Sequence, residues 1–300
     1  MAARSPRSRT GFTLVELLVV VAIVALLIGV LVPALGAARQ RADQTRDAGA
    51  LRQTLTANQI FSTDRDDGLI VAKYAQNEVP PGVTVSDGFG GIVRGVPAER
   101  YTWRLLSYLD AGPRGTLLTG EREAFLDAVP ADPDKRFNWH YLVSVYPSFG
   151  INGHFLGGYN MRAGGESHAG GDPPFRVAKR RDQVPRPSDM VHFASARGEA
   201  FDGGALTQWD GWYLVEAPAW LTLGPMGGGA PRRWSDEPYS PDSSPFDYGG
   251  IHARYDGSVL TGMADGHVAM RSPEELRDMQ HWSADAQRDG DPDWSPAGGG

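Results

Sequence analysis

Residues 12–35 are an apolar run of 24 positions broken by one charge, Glu16. At about 1.5 Å per residue, a helix of that length reaches roughly 36 Å, enough to cross a hydrocarbon core of about 30 Å with some tilt. The run is longer than the roughly 7–15 residues of an ordinary signal-peptide core, and no small-residue cleavage site follows it. Beyond it, across 36–61, the pattern turns amphipathic. Leu35, Ala38, Ala42, Ala48, Leu51 and Leu55 recur at largely helical spacing among Arg, Gln and Asp, which predicts that the helix continues out of the membrane. Gly49 weakens that continuation by about 1 kcal/mol. The following domain is expected to cover its apolar face.

After the helix the elements become short. Residues 62–68 are rich in Ser, Thr, Asp and Gly and predict a turn, followed by a strand at 69–72. Asp64, Asp66 and Asp67 read as a solvated turn, because position 75, where a calcium loop wants a bidentate Glu, is Ala75. Segments 99–110 and 120–129 predict two short helices, with Trp103, Leu106, Leu109, Phe125 and Leu126 as core candidates. Strands are predicted at 190–194, 212–216, 258–263 and 267–270, with Asp265-Gly266 as the hairpin turn between the last two. Ser272-Pro273-Glu274-Glu275 has the form of a capping box and predicts a helix to about Trp282. The pattern gives an α+β fold: a long N-terminal helix, membrane-spanning in its first half, packed on a small, loop-rich, mainly antiparallel β domain. The expected organisation is a basic leader at 1–11, a transmembrane helix at 12–35, its amphipathic continuation at 36–61, a globular domain at 62–284 and a flexible tail at 285–300.

Composition sharpens this picture. Gly (38) and Pro (22) fill a fifth of the 300 residues, against about 12% on average, as expected of a loop-rich domain. There is no cysteine, so disulfides and thiolate metal sites are excluded. The net charge is −7, and without the first eleven residues, which carry Arg4, Arg7 and Arg9, it is −10. A chain this acidic has no net positive field with which to displace counterions from a phosphate backbone, so nucleic acid is not an expected partner.

Glu16 is the informative residue, because an ionisable group inside a spanning segment is costly unless it is paired or functional. Residues 9–18, Arg-Thr-Gly-Phe-Thr-Leu-Val-Glu-Leu-Leu, resemble the signal of type IV prepilins and type II secretion pseudopilins. The resemblance implies cleavage after Gly11 by a prepilin peptidase and methylation of the new amino terminus at Phe12. It also implies a Glu16 carboxylate that meets the Phe12 amine of a neighbouring pilin-like subunit, and a helix bend at Pro33. The leader is then cytoplasmic, the helix lies in inner-membrane lipid, and the remainder is exported to the periplasm or cell surface. Trp103, Leu105, Leu106, Tyr108 and Leu109, with residues 148–152 and 263–268, also look like the large prepilin-like families that carry a His-x9-Asp-Gly box. Here twelve residues, not nine, separate His252 from Asp265-Gly266.

His252, Asp256, Asp265 and His267 fall within sixteen positions and are the candidate nitrogen and oxygen ligands for a metal. The Asp-Gly pair is explained by a turn alone, so no metal or other cofactor is assigned. No His-Glu-x-x-His, Gly-x-Ser-x-Gly or P-loop pattern occurs, and no enzyme activity is expected. Trp209, Trp212, Tyr213, Trp220, Trp234 and Tyr239 suit a glycan-stacking surface or a domain core, and core is favoured because aromatics supply large buried area. The functional expectation is a pilin-like structural subunit, with an anchored envelope module that binds glycan or metal as the alternative. Because the aqueous part carries its own apolar residues, a truncated chain beginning at Gln40 is expected to be soluble and folded. Circular dichroism and size exclusion check this, and aggregation under all conditions would contradict the boundary.

Overall fold

A computed structural model describes residues 14–296, except 77, 80–83, 110–111, 128–129, 131–132, 163–171, 203–204 and 223–230. It divides into two compact units, 1–45 and 46–300. Helix α1 (Leu14–Thr63) belongs to both, and its helical segment passes through Pro33 and Gly49. In the first unit the large apolar side chains at 14–35 are 47–79% exposed, so this protein's own chain gives them little cover. The helix is long and apolar enough to cross a membrane.

In the second unit α1 becomes a core element. Its buried residues start at Asp47 and include Ala50, Leu51, Leu55, Ala57 and Phe61. The amphipathic pattern starts at Leu35 in sequence, but Leu35, Ala38 and Ala42 are exposed. The remaining strands and helices are β1 (Lys73–Tyr74), β2 (Val85–Ser86), β3 (Ile92–Val93), α2 (Val96–Glu99), α3 (Tyr101–Leu106), α4 (Pro133–Val145), β4 (Phe149–Ile151), β5 (Tyr159–Met161), β6 (Val191–Ser195), β7 (Arg197–Asp202), β8 (Ala205–Asp210), β9 (Val259–Met263), β10 (Val268–Arg271) and α5 (Ala284–Asp289). The main sheet has the order β10-β9-β6-β4 and is antiparallel throughout.

Helix α1 lies against this sheet at Gly262 of β9. A Cβ there would sit 2.9 Å from Leu55 Cδ1 and 3.1 Å from Leu51 Cδ1, so the bare glycine sets how closely the helix approaches. Polar contacts fix the register. Tyr255 Oη donates to Asp47 Oδ2 at 2.6 Å, and Arg254 Nη1 reaches the same oxygen at 3.3 Å. Asn58 Nδ2 donates to His192 Nδ1 at 3.3 Å. Gln59 Nε2 donates to the Asp265 carbonyl at 2.8 Å, which ties the β9-β10 turn to the helix. Gly266 in that turn has φ +103°, and a Cβ would strike Gln59 at 2.2 Å.

The expected α+β class and the Asp265-Gly266 hairpin are both present. Trp103, Leu106, Leu109 and Leu126 are buried, with Phe125 packed against them. Four expectations need correction. Segments 69–72 and 212–216 are irregular chain, not strands. The second runs beside β4 through a single bridge, Leu214 to Ile151, with Val215 N donating to the Ile151 carbonyl. Helix α4 was not anticipated, because Phe137, Tyr141 and Leu142 on its exposed side blur the period set by buried Trp139 and Val143. The capping box forms, with Ser272 N to Glu275 Oε2 at 2.7 Å and Glu275 N to Ser272 Oγ at 3.1 Å, but it opens two short 3-10 turns. The Leu276 carbonyl, which a continuing helix would give to the Gln280 amide, accepts from Trp282 Nε1, and Asp278 Oδ1 takes that amide. Finally, the tail expected to be flexible from Asp285 holds α5, capped by the Ser283 hydroxyl and buried at Ala286.

The close approach at Gly262 gives a direct test. Gly262→Ala is expected to lower unfolding stability by about 1–3 kcal/mol, because the added methyl overpacks against Leu51 and Leu55. Chemical denaturation measures it, and an unchanged midpoint would show that the two leucines yield freely.

Candidate assembly segment

Glu16 lies in the first described turn of α1 and is exposed. Gly11 and Phe12 lie outside the described residues. Pro33 sits within the helix, where it cannot donate an amide to the Gly29 carbonyl one turn earlier. The segment is therefore an exposed apolar helical surface that carries one carboxylate near its start. Chemically it can bury in lipid or against like helices, and the carboxylate gives a single point of charge recognition.

The other sequence candidates fall into separate pairs. His252 Nδ1 faces Asp210 Oδ1 at 3.3 Å, whereas His267 Nδ1 pairs with Asp265 Oδ1 at 2.7 Å. Burial, reinforced by Arg254 and Arg197 against the opposing Asp210, pushes His252 down to about 3, so it is a neutral imidazole near pH 7. Asp256 occupies an exposed turn at φ 48°. Among the described residues no three His, Asp or Glu side chains gather as a metal site. Of the aromatic residues Tyr213 and Trp234 are buried, the half-buried Trp212, Trp220 and Tyr239 pack against core clusters, and the half-buried Trp209 meets Tyr146 with ring centroids 5.3 Å apart.

Two buried polar clusters went unforeseen. Asp87 accepts from Arg136 Nε at 2.8 Å, from the Phe89 and Gly91 amides at 2.8 Å each, and pairs with His140 Nε2 at 3.0 Å. Burial opposes its ionisation, but these hydrogen bonds and the Arg136 charge outweigh burial and hold its carboxyl below the usual range. Glu216 Oε1 meets His154 Nε2 at 2.7 Å and the Thr222 hydroxyl at 2.6 Å, and that hydroxyl lies 3.1 Å from the same nitrogen. A catalytic relay needs the two imidazole nitrogens to face different partners. Here both described partners address Nε2. The partners are 53 and 62 positions apart, so no local spacing signals them. His192 is also buried and neutral, pushed down to about 3 by desolvation alone.

The prokaryotic N-terminal methylation motif matches residues 6–32. The type IV wide pilus major component PilA4 of Thermus thermophilus is 42% identical over 60 residues, which is 20% of this chain and 46% of that protein. The match thus spans about half the length of this relative. No solved structure matches the chain. The chain is thus similar to type IV pilins, and the methylation motif places part of that likeness in its N-terminal segment.

Proposed function

We propose that the protein is a structural subunit of a type IV pilus-like or type II secretion system, anchored by one membrane helix and assembled through it. The observation that carries this reading is the coincidence of the methylation motif at 6–32 with the exposed apolar part of α1. An exposed apolar helix is stable only when lipid or other helices cover it, and a subunit that moves from membrane to assembly uses both kinds of cover in turn. The reading includes cleavage after Gly11 by a prepilin peptidase, methylation of Phe12, and an exported second unit. Nothing in it requires catalysis by this chain.

Glu16 has the recognition role. In an apolar surrounding a carboxylate and an ammonium are each expensive alone and tolerable together, so pairing Glu16 with the Phe12 amine of a neighbour fixes the subunit register. Pro33 removes one backbone hydrogen bond and so bends or loosens the helix late in the segment.

Mass spectrometry of protein extracted from the membrane of a host with an active prepilin peptidase is expected to show a chain beginning at Phe12 with one added methyl group. A mature chain beginning elsewhere would contradict the reading. For Glu16→Ala, membrane insertion should be retained or improved, because the one charge in the span is gone. Assembly should fail, since a buried ammonium left without its partner costs about 3–5 kcal/mol. Crosslinking at equal membrane abundance, with Glu16→Gln as the shape control, reads this, and equal crosslinking of all three proteins would remove Glu16 from the assembly contact.

A further inference from the structure

In the second unit, a cavity of about 90 Å³ lies between the end of α1, β1, β2 and α3. Arg65 and Arg104 line it, together with the hydroxyl-bearing Tyr74, Ser86, Ser107 and Tyr108, and no acidic residue lines it among the described residues. We propose that this cavity binds a small free tetrahedral oxyanion, of the size and charge of inorganic phosphate or sulfate.

Arg104 is almost fully buried, yet its partners are neutral carbonyls: Nε donates to Arg100 at 3.3 Å and Nη2 donates to Glu99 at 3.2 Å and to Val71. It forms no ion pair with a carboxylate among the described residues, and neither does Arg65. A buried cation held only by dipoles carries a desolvation cost that those dipoles offset in part. Burial lowers the Arg104 guanidinium to about 10; Tyr74 opposes this, and Arg65 adds a smaller downward push, so the two cations lie within electrostatic reach of each other. An anion between them turns that repulsion into attraction on both sides.

Geometry fits the same ligand. Each guanidinium is stationed over an aromatic ring of the cavity, Arg65 over Phe61 at 5.2 Å and Arg104 over Tyr74 at 4.7 Å, and Phe61 in turn meets Tyr108 edge-on at 5.6 Å. These stacks hold the cations in place before any ligand arrives, which reduces the ordering cost of binding. Two guanidiniums and several hydroxyls match an ion with four acceptor oxygens better than chloride, which has no directional acceptors. The small volume suits a free ion over an esterified phosphate. Asp64, Asp66 and Asp67 are near Arg65 in sequence, but none of them lines the cavity.

The full chain in detergent is titrated calorimetrically with sodium phosphate and, at equal ionic strength, with sodium chloride. Phosphate is expected to bind at one site and chloride is not. Arg65 is exposed, so Arg65→Gln keeps the fold and is expected to weaken phosphate binding by about tenfold or more, with Arg65→Lys recovering part of the loss. Arg52→Gln, an equally exposed charge change on α1 outside the cavity, should leave the affinity unchanged. Phosphate binding no better than chloride, or equal losses in Arg65→Gln and Arg52→Gln, would overturn the proposal. Tighter binding of glycerol 3-phosphate than of inorganic phosphate would overturn the free-ion form of it.

Discussion

The contact between α1 and β9 governs the second unit. Leu51 and Leu55 come down on Gly262, and from Asp47 to Phe61 the helix supplies one wall of the core. The sheet it covers has strands of only three to five residues, too short to hold a face dry without a helix laid across it. Three polar fastenings, at Asp47, Asn58 and Gln59, reach the chain before β9, strand β6 and the β9-β10 turn, and fix both rotation and height of the helix. Apolar packing supplies the attraction, and the polar points choose one arrangement among those that packing alone would allow.

Away from that contact the domain has little regular backbone, and side chains satisfy the carbonyls that longer strands and helices would otherwise pair. Arg254 donates to Ser148 and Ala196, Arg197 to Ser240, Pro241 and Ser243, and Arg104 to three further carbonyls. Indoles do the same: Trp103 to His140, Trp234 to Glu216 and Trp282 to Leu276. Arginine suits this work because its planar fork reaches several acceptors at once. With no cysteine to staple the loops, this network and the aromatic clusters hold the irregular segments together.

The two units meet different physical demands. Residues 14–35 keep apolar side chains outward, whereas most of the described large apolar side chains from 46 onward are buried. The methylation motif at 6–32 falls in the first of these.

Whatever depends on near neighbours along the chain was determined by the sequence itself. The apolar run with Glu16, the helix beyond it, the Asp265-Gly266 turn and the reciprocal bonds of Ser272 and Glu275 all arise within a few residues, where period and turn chemistry act directly. Tertiary structure decided the rest. It set where burial on α1 begins, because Asp47 needs Tyr255 and Arg254 from the far end of the chain. It also ended the helix after Ser272 through one indole, and it assembled Asp87 with His140 and Glu216 with His154 from separate segments. These contacts join residues between 53 and 208 positions apart, or in the case of Trp282 depend on the whole fold placing one side chain, and no local pattern encodes such a meeting.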